Sequence, residues 1–126
     1  MTVEAVQHRH ILLVDEEAHV LRVMRLNLDR HGYEVDTALS SEAALQLLRA
    51  QPYDVLIVSG EMPDMSARQL CESAADQFGA AVPLMLVMAC DGDNWIDELS
   101  FVERLDKPVS LRWIVARLSE TFGDYD

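Results

Sequence analysis

The sequence is poor in basic residues and has no long hydrophobic run, and each shortage excludes a class of function. Its 10 lysines and arginines stand against 22 aspartates and glutamates, which gives a formal net charge of −12. Nucleic-acid binders displace counterions from phosphates with clustered basic side chains, so this chain is not expected to bind nucleic acid directly. No apolar run approaches the roughly 18 residues of a membrane span, and no membrane contact is expected. Residues 1–9 lack the apolar stretch of a secretory signal, and a cytoplasmic location is therefore predicted.

Cysteine is also scarce. Only Cys71, in a helical pattern, and Cys90, after an apolar run, are present. Neither has the neighbouring Cys or His spacing of a disulfide framework or a zinc site. Both are predicted to be buried, reduced thiols.

The length and the hydrophobic content fit one globular domain. The chain has 126 residues, of which 50% are hydrophobic, enough for one core and too few for two. The predicted domain covers residues 1–126, with a flexible amino-terminal segment at residues 1–8.

Short apolar runs alternate with helical patterns along this domain. The predicted strands are residues 10–15, 34–38, 55–59, 84–88 and 101–105. The intervening helices have recognisable ends: Ser40 or Ser41, Ser66 and Ser110 can cap amino ends, and glycines 32 and 79 can close carboxyl ends. A short fourth helix is predicted around Trp95. Because parallel strands need crossover helices, the pattern predicts an open α/β sheet covered on both faces.

Three polar residues fall at or just beyond the carboxyl ends of predicted strands, where open α/β sheets collect their ligand chemistry. These residues are Asp15, Ser59 and Lys107. We therefore expect one functional site that joins them.

Three segments around these residues resemble the receiver domain of bacterial two-component response regulators. Residues 11–17 (ILLVDEE) are similar to the acidic signature after the first strand, residues 52–63 (PYDVLIVSGEMP) to the third-strand motif, and residues 105–108 (LDKP) to the lysine-proline motif. The resemblance covers essentially the whole chain. It implies a flavodoxin-like, three-layer fold with strand order 2-1-3-4-5 and a role in phosphorelay signal transduction.

In that family, two acidic residues hold Mg²⁺, a third-strand aspartate accepts a phosphoryl group, and the lysine contacts that group. The matching residues here are Asp15, Glu16 and Lys107, with Glu16 as the expected metal ligand, but the acceptor position holds Ser59. A serine cannot form an acyl phosphate, and without a general base its hydroxyl is a poor nucleophile. The resemblance thus implies a degenerate receiver with no required cofactor and at most residual Mg²⁺ binding; a different serine chemistry stays open.

Two further positions depart from the family pattern. The hydroxyl residue at the end of the fourth strand is replaced by Met88, and the fifth-strand aromatic residue by Arg104. Methionine has no hydroxyl that could move toward a phosphoryl group and hydrogen-bond to it. The departures predict a non-enzymatic pseudo-receiver that binds a protein partner independently of phosphorylation.

Other roles in the acidic pocket remain alternatives. Lys107 is expected to form an ion pair with Asp15 or Glu16, which would compensate buried charge. Glu61 is either an ordinary exposed loop residue, the interpretation we favour, or a permanent imitation of the phosphoryl charge.

The partner surface implied by the resemblance comprises the fourth helix, the fifth strand and the fifth helix. This segment contains Trp95 and Trp113, and tryptophan is frequent at binding hot spots. The alternative is that each tryptophan packs its helix against the sheet. Expected partners are a histidine kinase or another signalling protein, or a second copy of the chain. Competing functions are phosphoryl transfer to a displaced acceptor and structural dimerisation.

Overall fold

Five parallel strands form one sheet in the predicted order β2-β1-β3-β4-β5. The computed structural model describes residues 9–89 and 93–123, apart from the side chain of Ala80; the segment predicted to be flexible (residues 1–8) and Cys90 lie outside this part. The strands are β1 (His10–Val14), β2 (Glu34–Ala38), β3 (Val55–Ser59), β4 (Leu84–Ala89) and β5 (Val102–Asp106). The α-helices are α1 (Ala18–Arg30), α2 (Ser41–Ala50), α3 (Ala67–Phe78) and α4 (Leu111–Phe122), with 3₁₀ helices at Gly79–Ala81 and Asn94–Glu98.

Alternation along the central strands divides the core between the two faces of the sheet. Leu12 and Val14 of β1 face α2 and α3, whereas Ile11 and Leu13 face α1 and α4. Because both faces are covered, each central strand is apolar without interruption. The result is the predicted three-layer arrangement. None of the helices in residues 9–89 and 93–123 has the length and apolar character needed to cross a bilayer.

The predicted helix ends are confirmed. Ser40, rather than Ser41, caps α2 by accepting a hydrogen bond from the Ala43 amide at 3.1 Å, and Ser66 forms a capping box with Gln69 at the start of α3. Such caps satisfy amides that have no partner within the helix. Gly32 and Gly79, at φ of 90° and 55°, follow α1 and α3 in the left-handed region that favours glycine.

Four predicted elements differ in the structure: β1 ends at Val14 rather than residue 15, β4 ends at Ala89 rather than residue 88, and the fourth helix and the fifth strand also differ. The segment predicted as a fourth helix is the 3₁₀ helix Asn94–Glu98, in which only Ile96 is fully buried; one buried anchor gives too little apolar contact to hold a longer helix. The fifth strand starts at Val102 rather than Phe101, because Val102 pairs with Met85 and Asp106 pairs with Ala89. Phe101 lies in the preceding turn, partly exposed.

A polar cluster closes the sheet at the end opposite to the carboxyl ends of the strands. The Asp36 carboxylate oxygen Oδ2 accepts hydrogen bonds from the Tyr53 hydroxyl at 2.7 Å and the Gln51 amide at 3.0 Å, and lies 2.9 Å from His10 Nε2. Burial and the hydrogen bond to Asp36 raise the pKa of Tyr53. The cluster joins β1, β2 and the loop before β3 through side chains that are distant in sequence.

Candidate functional site

The carboxyl ends of β1, β3 and β5 meet at one edge of the sheet and bring Asp15, Ser59 and Lys107 to the same region, as predicted. Asp15 directly follows β1 and is only 4% exposed. Its Oδ1 accepts a hydrogen bond from the Glu17 amide at 3.0 Å, and its own amide donates to the Ala38 carbonyl. Asp15 is therefore a buried carboxylate in a fixed turn between β1 and α1.

Ser59 is the last residue of β3 and is 2% exposed. Its Oγ accepts hydrogen bonds from Lys107 Nζ at 3.2 Å and from the Glu61 amide at 3.3 Å. Both partners are donors, so neither can take the hydroxyl proton as a general base. The position that matches the family's phosphoacceptor thus holds a neutral hydroxyl, whose oxygen accepts two hydrogen bonds.

The predicted ion pair of Lys107 with Asp15 or Glu16 is wrong. Among the described residues, no ion pair within 4.0 Å joins these side chains, and Lys107 contacts Ser59 instead. Glu16 is exposed beside the buried Asp15. Lys107 can reach both the Ser59 hydroxyl and the acidic residues, so residue types alone could not predict which of them it contacts.

The acidic residues at the implied Mg²⁺ site are the buried Asp15 and the exposed Glu16. Within residues 9–89 and 93–123, no group of three or more His, Cys, Asp or Glu side chains is close enough to hold a metal ion. Mg²⁺ requires oxygen ligands in near-octahedral geometry, including one or two carboxylates. Asp15 and the exposed Glu16 would have to supply the anionic ligands, because Ser59 contributes no charge.

Met88 lies beside Ser59 in the sheet and is buried in the core under α1 and α4. The next residue after Ser59 approaches this strand closely: the Gly60 amide donates to the Met88 carbonyl at 2.8 Å. A Cβ atom at Gly60 would lie 2.2 Å from Asp93 Oδ2, which requires a shift of the neighbouring side chain. Glycine at this position lets the Asp93 carboxylate lie close to the backbone beside Ser59, a contact that the sequence pattern did not reveal.

Arg104, the other position that departs from the family pattern, contacts the segment before β5 and the last residue of β5. Its guanidinium donates to the Asp93 carbonyl at 2.7 Å and forms ion pairs with Asp97 at 3.5 Å and Asp106 at 3.2 Å. The hydrogen bond to Asp106 raises the pKa of Arg104, as does the nearby Asp97 carboxylate. The side chain thus joins β5 to the 3₁₀ helix, and within the described part of the chain it forms no hydrogen bond or ion pair with Ser59 or Lys107.

The loop after Ser59 is attached to α2 through Asp64. Its carboxylate accepts hydrogen bonds from the Ser41 amide at 3.1 Å and the Glu42 amide at 3.0 Å, and the Ser41 hydroxyl donates to the Met65 carbonyl. The Glu42 amide is the main cause of a lowered pKa for Asp64. Glu61, in contrast, exposes its side chain, which makes no hydrogen bond or ion pair with any described residue.

The two tryptophans have different environments. Trp95 is partly buried and packs against the core cluster under α2 and α3. Trp113 is 50% exposed on α4 and lines a groove with Arg104, Asp106 and Pro108. Of the predicted surface pair, Trp113 alone combines an aromatic ring with substantial exposure.

Comparisons with known protein families and curated sequences identify the family to which the chain is similar. The family model described as "Response regulator receiver domain" matches residues 11–119. The transcriptional regulatory protein KdpE of Mycobacterium tuberculosis is 41% identical over 110 residues, which cover 86% of this chain and 48% of KdpE. The alkaline phosphatase synthesis transcriptional regulatory protein PhoP of Bacillus subtilis is 28% identical over 114 residues, covering 88% of this chain and 47% of PhoP. The chain spans about half the length of the curated relatives it matches.

Solved structures are similar over nearly all of the chain. The chemotaxis response regulator CheY4 of Vibrio cholerae matches with a TM-score of 0.81 and 20% identity, covering 92% of this chain and 100% of that chain. A putative response regulator from Chloroflexus aurantiacus matches with a TM-score of 0.78 and 28% identity, covering 90% and 97%. The strand order and the helical layers are common to this fold.

Proposed function

The chain belongs to the response regulator receiver domain family, and we propose that within it the chain is an atypical member, a protein-protein interaction module that does not depend on phosphorylation of residue 59. Receiver domains are signalling modules of two-component systems rather than typical enzymes. A cytoplasmic location and a signalling protein as partner are parts of the same proposal.

The observation that carries the proposal is the chemistry at Ser59. An acceptor must present an anionic oxygen to phosphorus, and Ser59 presents a neutral hydroxyl that accepts hydrogen bonds from Lys107 and the Glu61 amide. Without a neighbouring base, serine is a weak nucleophile. The proposal therefore includes only weak Mg²⁺ binding, because the anionic ligand at position 59 is missing.

The positions that would transmit a phosphoryl signal support the same proposal. Met88 offers a thioether within the apolar core, and Arg104 is engaged with Asp93, Asp97 and Asp106. Met88 has no hydroxyl that could hydrogen-bond to a phosphoryl group at residue 59, and the Arg104 guanidinium is already paired with Asp97 and Asp106. We infer that the partner surface keeps one conformation, with Trp113 as its aromatic anchor. Negative-charge imitation by Glu61 gains no support, because its exposed side chain has no contact in the pocket.

Phosphorylation can be tested directly by intact mass. The protein is incubated with acetyl phosphate and Mg²⁺, beside a receiver that has an aspartate at the matching position. We expect no adduct on this chain and a stoichiometric adduct on the control. A stoichiometric phosphoryl adduct would refute the proposal and favour the competing function, phosphoryl transfer to a displaced acceptor, whose site peptide mapping would identify.

Partner binding is tested by capture with and without acetyl phosphate. We expect equal capture under both conditions and a loss of at least about tenfold for Trp113→Ala, the scale of a hot-spot tryptophan. Leu39→Ala is the matched control, because Leu39 is similarly exposed, at 54%, on a different surface. Sedimentation over a concentration series separates partner binding from the third candidate, homodimerisation.

A further inference from the structure

A cavity of about 400 Å³ lies between α1 and the loop that leads into α4. Its apolar lining includes Val20, Val23, Met24, Met88 and Ile114. The volume falls within the range of roughly 300–1,000 Å³ that is usual for small-molecule sites, which combine apolar walls with a few polar groups. Met88 contributes to this character, since a shorter hydroxyl residue there would make the wall more polar.

The polar part of the lining has an excess of negative charge. Asp15 and Glu17 contribute carboxylates, against the single ammonium group of Lys107; His19 also lines the cavity. Lys107 donates to Ser59 and forms no ion pair within 4.0 Å with Asp15, the only one of these acidic residues that is buried. The Asp15 carboxylate accepts a hydrogen bond from the Glu17 amide at 3.0 Å, and no ion pair with a described residue neutralises its charge. A bound cation would add that missing ion pair.

We propose that this cavity is a binding site for a small organic ammonium ion with an aliphatic body. The ammonium group pairs with the Asp15 carboxylate, and the aliphatic part packs against the apolar walls on α1 and α4. The site goes beyond the proposed function and does not depend on whether residue 59 accepts a phosphoryl group.

The test uses three probes of one length: n-hexylammonium chloride, n-hexanol and sodium hexanoate. Each is titrated into the isotope-labelled full chain in the presence of EDTA, with amide chemical shifts as the readout. We expect saturable shifts around Met24, Met88 and Ile114. Hexylammonium should bind at least about tenfold more tightly than hexanol, the scale of a charge-assisted hydrogen bond, and hexanoate should bind most weakly.

Two variants separate the charge from the cavity. Asp15→Asn retains a carbonyl oxygen for the Glu17 amide, so the turn is preserved; it should lower the preference for hexylammonium over hexanol to about twofold or less, within the range of an ordinary neutral contact. Val23→Phe should block the cavity and weaken all probes. Leu26→Phe is the matched control, because Leu26 is exposed on the same helix and does not line the cavity.

The proposal is overturned if no probe gives saturable shifts at the cavity residues, or if wild type binds hexanol as tightly as hexylammonium. It is equally overturned if Asp15→Asn keeps the full preference for the ammonium probe. If Asp15→Asn does not fold, the wild-type ratio and its decrease with salt decide the question. A preference that is unchanged by salt contradicts an ion pair.

Discussion

The polar cluster at the amino ends of the strands makes a quantitative prediction about stability. Replacing Asp36 with alanine removes three contacts on one carboxylate oxygen, with Tyr53, Gln51 and His10. At about 0.5–1.5 kcal/mol each, three such contacts contribute between roughly 1.5 and 4.5 kcal/mol. Because the Asp36 side chain is 38% exposed, water can replace part of this bonding, and we expect a loss of about 2 kcal/mol.

Urea unfolding of the whole chain, followed by circular dichroism at pH 7, measures this loss. Asp36→Ala should lower the unfolding midpoint with an unchanged slope. Tyr53→Phe keeps the ring but removes a hydroxyl that donates to Asp36 and accepts from Gln51, and it should cost about 1 kcal/mol. Asp29→Ala is the control, because Asp29 forms only an exposed pair with Arg25 at 3.9 Å and should cost less than about 0.5 kcal/mol.

The same cluster predicts a decrease in stability at alkaline pH. The pKa of Tyr53 is raised in the folded state, so the folded protein keeps a proton that the unfolded chain releases near pH 10. This contribution is present below about pH 10 and is lost as the pH rises toward the folded-state pKa. Tyr53→Phe should therefore lose less stability than wild type at alkaline pH.

The urea experiment can refute the role of the cluster. If Asp36→Ala is as stable as Asp29→Ala, the cluster does not stabilise the fold.

Three shorter predictions concern other parts of the chain. Met88→Thr should destabilise the protein by about 2–3 kcal/mol in urea, because it empties space in the core; an unchanged midpoint would show that the site collapses without cost. Burial raises the pKa of the Cys71 thiol to about 12, so iodoacetamide at pH 8 should modify Cys71 in urea but not in the native protein, as read by peptide mass. Asp64→Ala should lower the melting temperature at neutral pH, and its difference from wild type should vanish as the pH falls below about 4, where the lowered pKa of Asp64 ceases to favour folding; a constant difference would contradict the role of its charge.

The parts of the fold that depend on local pattern could be predicted from the sequence. Uninterrupted apolar runs located the central strands β1, β3 and β4, whereas the edge strands β2 and β5 carry polar residues among their apolar ones. Ser66, with Gln69 three residues later, located the start of α3. The short helix predicted around Trp95 is present as the 3₁₀ helix Asn94–Glu98, and its type could not be predicted because it depends on Ile96 alone being buried in the core. The shift of β5 by one residue has a similar cause, since pairing with β4 set its first residue.

The site was predicted in outline and missed in its contacts. Asp15, Ser59 and Lys107 could be placed together, because parallel strands end at one edge of a sheet. The choice of Ser59 over a carboxylate as the partner of Lys107 depends on side-chain reach, which spacing does not encode. The Asp36 cluster was missed for a related reason: its members come from different elements and share no local motif. For Trp113 the sequence left exposure and packing against the sheet as alternatives, and the structure shows it half exposed.

The tight approach at Gly60 has a mechanical consequence. Its amide hydrogen is bonded to β4, the Asp93 side chain occupies the space where a Cβ would stand, and the Asp93 backbone is bonded to Arg104 on β5. The loop after β3 and the segment before β5 are therefore in direct contact at Gly60 and Asp93. A side chain larger than glycine at residue 60 would displace the Asp93 carboxylate and so disturb the segment that Arg104 holds beside β5.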